Sequence, residues 1–401
     1  MVTPRPELAS SLSDRFFATV FALEEGKRLR RCLQCGTCSG VCPFGYIMDF
    51  PPSRLITMLR AEEFDQVLAS KTLWMCLSCY ACAQVCPAQI PLTRVVMTRA
   101  KEELLLAGNV PAELQSALEN SQRYGNVMGQ PPRKRTDWIK DITPAVPVLG
   151  KEKRSTDIVW FVGDYASYHP RVQAVTRAMA KVLHALGVDF AILGPEEVSD
   201  GDSQRLAGER GLFELLANKN AQALRKYTFN GILTTDPHAY NAFKNEYPSL
   251  GIAYPVRHHT QLLFDHLEQV RPLFKRERKL RVAYHDPCYL GRVNAIYDEP
   301  RAVLSAIPGV ELVEMSHARE TSLCCGGGGG GMWLDGFQWE LAHTRTSEWR
   351  VQEAVSAGAD VLAIACPYEP ARFEDATKVV PGAASLAVKD IVEIVADAIA
   401  E

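Results

Sequence analysis

The 401-residue chain has no cysteine between positions 87 and 287 and no run of eighteen apolar residues anywhere. The second absence leaves no segment that reads as a membrane-spanning helix. The opening MVTPRPELASSLSDRFF lacks the uninterrupted apolar core and small-residue cleavage site of a secretory signal. A net charge of −3 provides no general attraction to nucleic acid. The short basic stretches PPRKR (131–135) and RPLFKRERKLR (271–281) fall at expected domain junctions and read as solvated linkers or docking surfaces. No nucleic-acid partner is expected. The chain is expected in the cytoplasm, or held peripherally on the cytoplasmic face of a membrane through a partner. No Rossmann glycine turn follows the apolar run at 157–163, which continues as DYASYHP. The glycines at 326–331 are not followed by Lys-Ser/Thr, which removes the phosphate-loop reading.

What the chain does have is cysteine, unevenly placed. Of twelve, eight lie between 32 and 86 and four between 288 and 366. Without a secretion signal, that points to metal or redox chemistry rather than a disulfide framework. CLQCGTCSGVCP from Cys32 and CLSCYACAQVCP from Cys76 both read C-x2-C-x2-C-x3-C-P. In this bacterial ferredoxin run, three cysteines hold one four-iron cluster and the fourth ligates the other. Three close thiolates in a tight turn clasp three irons, and the proline stops the fourth segment from continuing over the cluster. The expected sets are Cys32, Cys35, Cys38 with Cys86, and Cys76, Cys79, Cys82 with Cys42. Paired zinc sites use C-x2-C too, but they do not account for a duplicated four-cysteine run ending in Cys-Pro.

Helix is expected over 12–30, over 51–74 and from 93 to Gly108, which makes the first module helical. Beyond it, glycine, proline and charge thicken into a linker. Strand and helix signals then alternate twice. The expected domains are a helical ferredoxin module over 1–125, a linker over 126–156, one α/β repeat over 157–270 and a second over 280–401. The fold class is therefore α+β and multidomain: an α-helical two-cluster ferredoxin module, then a tandem α/β pair. Helices are expected over 203–226, 256–270, 337–357 and 386–399. Laying the halves on each other places Asp164, Ser199, Asp200 and Asp236 opposite Cys288, Cys324, Cys325 and Cys366. The first copy thus keeps the plan without the thiols.

Cys288, Cys324, Cys325 and Cys366 are all expected at strand C-terminal ends or just after, the edge where ligands collect on open α/β sheets. A third iron–sulfur site there is the expectation. Gly326, Gly327 and Gly328 would let the backbone approach it and aim amides at sulfur.

HDPC at 285–288 and CCGG at 324–327 resemble the cysteine-rich CCG domain of heterodisulfide reductase catalytic subunits and of related iron–sulfur subunits in glycolate, lactate and anaerobic glycerol-3-phosphate oxidation. The two N-terminal runs resemble the ferredoxin-like C component of heterodisulfide reductase. Their fusion resembles its D component and the K component of the membrane complex linked to dissimilatory sulfite reduction. The resemblance implies a four-iron cluster, non-cubane or cubane, on Cys288, Cys324, Cys325 and Cys366, beside two [4Fe-4S] clusters. Where the family pattern has a further cysteine, this chain has Glu369, which stands as an oxygen ligand, the neighbour of an open iron, or a solvated glutamate. His285 and Asp286 are the candidate proton donors. Two functions follow: a subunit whose third cluster reduces a disulfide, or a relay that does no bond chemistry. Expected partners are other redox subunits, either a flavoprotein or a membrane cytochrome or quinone-reactive subunit, with a thiol or disulfide as candidate substrate.

Overall fold

The computed structural model describes residues 11–140, 142–277 and 279–399. The chain forms two compact units. One comprises Met1–Gln115, Gln204–Arg210 and Gly328–His343, and the other Ser116–Ser203, Gly211–Gly327 and Thr344–Glu401. The domain bounds expected from sequence are contiguous, whereas the ferredoxin unit also recruits two short segments from the α/β half.

The first unit is helical. Helix Leu12–Ala22 starts in a capping box, with Ser11 and Asp14 each accepting the other's backbone N–H, so two N-terminal donors are satisfied together. Phe16 of this helix is buried edge-on against Phe64. The stretch expected as one helix over 51–74 is three: Pro52–Arg60, Phe64–Ala69 and Thr72–Met75. Glu62, in the left-handed conformation at φ 62, separates the first two. The duplicated cysteine runs repeat in backbone as in sequence. Gln34 and Ser78 take φ 55 and 53, Gly36 and Tyr80 take φ 79 and 63, and one-turn helices Thr37–Gly40 and Ala81–Gln84 follow.

The second unit holds two four-stranded parallel sheets. The first contains β1 (Ile158–Phe161), β2 (Phe190–Ile192), β3 (Gly231–Thr234) and β4 (Val256–His258). The second contains β5 (Leu280–Tyr284), β6 (Val310–Val313), β7 (Val361–Ile364) and β8 (Ala387–Asp390). Their orders, β2-β1-β3-β4 and β6-β5-β7-β8, are one topology used twice. The central strands are buried over most of their length, and Val159, Trp160 and Phe161 run on without polar alternation. Phe213, Phe243 and Tyr247 close the first core; Val351, Phe373 and Leu386 help close the second.

The edge strands β4 and β8 lie inside spans expected to be wholly helical, 256–270 and 386–399. Each strand runs without a loop into a helix, His259–Asp265 or Ile391–Ile399, and the helical spacing of the apolar residues masks the strand. The helix expected over 203–226 is split into Asp202–Leu206 and Arg210–Leu224, with Gly208 at φ 98 between them. The one expected over 337–357 breaks at His343, which is left-handed.

The expected linker is not a free tether. Its PPRKR stretch enters the 3-10 helix Pro132–Ile139, which buries Arg135 and Trp138. Trp138 packs edge-on to Trp160 at 5.4 Å. The Arg135 guanidinium forks between Asp164 at 2.7 Å and Glu197 at 2.8 Å, and Glu197 also accepts the amides of Val162 and Gly163. Removing one member of a buried ion network strands the others without solvent. Arg135→Met is therefore expected to cost about 3–5 kcal/mol, read as a lowered urea midpoint, with Arg135→Lys recovering only part.

Candidate metal centres

Cys32, Cys35, Cys38 and Cys86 line one cavity of about 340 Å³, with Leu33, Ile56 and Pro87 around them. Cys42, Cys76, Cys79 and Cys82 line another of about 420 Å³, walled by Met48, Met75, Leu92 and Met97. These are the two quartets expected from sequence. The first opens to solvent, with Cys35 exposed and Leu33 71% exposed. Its Cys35 thiol is held below its ordinary value by the Thr37 hydroxyl. In the second quartet, burial and then repulsion from Cys76, Cys79 and Cys42 push the Cys82 thiol well up. Four soft sulfur donors among apolar walls, with no carboxylate or imidazole lining either cavity, suit iron–sulfur clusters.

The remaining thiols gather in the second α/β copy. Cys288 follows β5, Cys324 and Cys325 lie in the loop after β6, and Cys366 follows β7; all four are buried. Cys324 is within hydrogen-bond reach of both Cys288 and Cys325, and Gly326 donates its amide to the Cys324 sulfur at 3.3 Å. Gly326 has φ 91, and a Cβ there would lie 2.7 Å from the Thr346 hydroxyl, so only glycine suits the turn. At Gly326 the geometry is the one the glycine expectation calls for. Gly328 belongs to the turn that closes on Gly331, in the segment Gly328–His343 of the ferredoxin unit.

His285, Cys325 and Glu369 converge, with their potential ligand atoms within 4.8 Å of one another. Arg350 donates from Nε to His285 Nδ1 at 3.0 Å. A guanidinium can only donate, so Nδ1 accepts and the imidazole proton sits on Nε2, 3.2 Å from Glu369 Oε1. Burial raises Glu369 to about 7 against the pull of His285. With 1% exposure, Glu369 is not the solvated residue that sequence left open. Asp286 has a different setting. Arg301 grips both its oxygens, at 2.6 and 2.9 Å, and the Arg319 amide donates to it at 2.8 Å. Its lone pairs are engaged in fixing the approach to Cys324.

In the first copy the equivalent positions are Asp164, Ser199, Asp200 and Asp236, all buried. Burial, then Asp236, raises Asp200 strongly, and burial lifts Asp236 to about 6. His238 has Nδ1 2.8 Å from Asp202 Oδ2; burial opposes its protonation, but Asp202 outweighs this and holds it at about 9. His238 stands where the second copy has Tyr368, and the two cross over. His238 packs on Tyr289 at 4.1 Å, while the Tyr368 hydroxyl reaches Ser203 at 2.9 Å. Arg135 and Arg350 leave no signal of these roles in the sequence. His238 leaves one, as DPH aligned against CPY.

Comparison with known proteins agrees with this geometry. The 4Fe-4S dicluster domain matches residues 28–90, and the cysteine-rich domain CCG matches twice, at 158–244 and 282–368. The chain belongs to the CCG-domain iron–sulfur proteins. It is of the type of the heterodisulfide reductase D component. That component of the dihydromethanophenazine:CoB–CoM heterodisulfide reductase from Methanosarcina mazei is 32% identical over 286 residues, covering 69% of this chain and 66% of that one. The probable iron-sulfur-binding oxidoreductase FadF of Bacillus subtilis is 36% identical over 300 residues, covering 74% of this chain and 42% of FadF. The EtfAB:quinone oxidoreductase of Syntrophomonas wolfei is 30% identical over 337 residues, covering 82% and 46%. This CCG protein thus spans about half the length of the last two relatives. Among the described residues no helix is long and apolar enough to cross a membrane.

The Asp236 shift has a sign that can be measured. Its ionised form is the penalised one in the fold, so this contribution is complete below about pH 4 and lost as pH rises through about 6. Between pH 5 and 7, the urea midpoint of the wild type is expected to fall relative to that of Asp236→Asn, which stays neutral throughout.

Proposed function

We propose that this protein is the iron–sulfur electron-transfer subunit of a heterodisulfide reductase-like complex, with two four-iron sites in its ferredoxin unit and a third on Cys288, Cys324, Cys325 and Cys366 where a disulfide is reduced. The observation that carries the reading is the buried third quartet with His285 and Glu369 at its edge. Clusters held there supply one-electron redox steps and an iron that a sulfur can approach. The chain's own part is to orient and to handle protons. Arg350 fixes the His285 tautomer so that a proton lies between Nε2 and Glu369. Glu369, at about 7, is poised to take up or release it near neutral pH. Asp286 positions the Cys324 loop and is not a proton donor in this scheme. The quartet around Cys35 serves for exchange with a partner subunit, because that thiol is exposed.

A second reading is favoured by the three aspartates and one serine that stand where the second copy has thiols. With one CCG site instead of two, the protein is a relay between a flavoprotein and a quinone-reactive membrane partner. The name of the Syntrophomonas relative fits that reading.

Anaerobically purified protein is expected to hold about twelve irons, and Cys288→Ser about eight. A thiol or disulfide that alters the EPR signal missing from Cys288→Ser supports disulfide chemistry; a signal indifferent to both leaves the relay. About eight irons in the wild type removes the third site altogether.

A further inference from the structure

Lys101 is a cation that neither reading above employs. It lies in helix Thr98–Leu106 with 0% exposure. Its ammonium donates to the Gly329 carbonyl at 2.8 Å and to the Cys76 carbonyl at 3.2 Å, with the Trp74 ring 5.8 Å away. Among the described residues its partners are carbonyls and a ring, with no carboxylate. A buried ammonium without a counter-ion is costly, so its position calls for an anion near by. Cys76, whose carbonyl it reaches, belongs to the second quartet.

Gly329 is as unusual as its partner. It takes φ 63, and a Cβ built on it would lie 2.7 Å from the Cys76 carbonyl, 2.7 Å from the Ser78 hydroxyl and 2.9 Å from the Leu77 carbonyl carbon. The glycine backbone therefore rests on the loop that carries Cys76 at a distance no other residue permits. Lysine, glycine and cysteine loop all belong to the helical unit, although Gly329 reaches it from more than two hundred residues away. The glycine run that sequence assigned to the third site is, at 329, a contact of the second.

We propose that Lys101 is a positioning residue that fastens the Gly329 turn onto the Cys76 loop and places its ammonium beside the second quartet. The proposal rests on the iron–sulfur reading above. Charge and clasp are separable: Lys101→Met removes both, Lys101→Arg keeps a charge, and Gly329→Ala disturbs the contact while leaving the charge.

The test uses the full-length, anaerobically purified protein. Iron is counted first, followed by an EPR-monitored redox titration and the rate of iron loss to an added chelator. Lys101→Met is expected to keep the wild-type iron count. The midpoint potential of the Cys76 site should fall, since reduction adds negative charge that the lysine no longer offsets. Gly329→Ala should speed iron loss from that site with a smaller change in potential, and Lys101→Arg should keep the potential nearer the wild type. Should Lys101→Met fail to fold, the Arg and Gly329 variants decide the matter by themselves. Iron-loaded variants with wild-type potential and wild-type iron retention overturn the proposal. A wild-type protein without iron on the Cys76 quartet overturns instead the reading beneath it.

Discussion

Acidic groups packed together in a dry site repel one another as soon as they ionise, and much of this molecule answers that problem. It arises four times: in two cysteine quartets of the helical unit and at the strand ends of each α/β copy. In the second quartet, burial and neighbouring sulfurs force the Cys82 proton affinity upward. Iron offsets such repulsion where sulfur is the donor. Where the first copy has carboxylates, the compensation is organic. Arg135 clamps Asp164 and Glu197, and an imidazole faces Asp202.

That comparison changes the sense of the cysteine-free copy. In place of thiols the first copy buries Asp164, Asp200 and Asp236, with Arg135 on Asp164 and His238 beside Asp236. Arg135 comes from the segment before the first strand, and its burial explains why a stretch that looks like a solvated linker carries two fully buried large side chains, Arg135 and Trp138. The crossing of His238 and Tyr368 then makes each copy furnish a ring to the other. The scaffold copy is chemically connected to the copy that carries the thiols.

Much of this was legible in sequence because it rests on short-range rules. The cysteine spacings fix two loops whose left-handed residues recur at matched positions, Gln34 with Ser78 and Gly36 with Tyr80. The halves could be aligned because the same strand order is used twice. The missed features come from interactions between residues distant in sequence or from competing local signals. β4 and β8 are too short to announce themselves against the helices they enter. Lys101 looks like any helix lysine until Gly329 is laid against it. Glu369 is an ordinary glutamate in a string of letters, and its pairing with His285 appears only when β5 and β7 lie side by side.

The discontinuity of the helical unit has a consequence for how such a protein can be taken apart or assembled. Gln204–Arg210 and Gly328–His343 return to it from either half of the α/β region. No single cut in the chain releases every segment of that unit. Exchange of modules between relatives has to preserve two remote insertions along with the cysteine-bearing N-terminus.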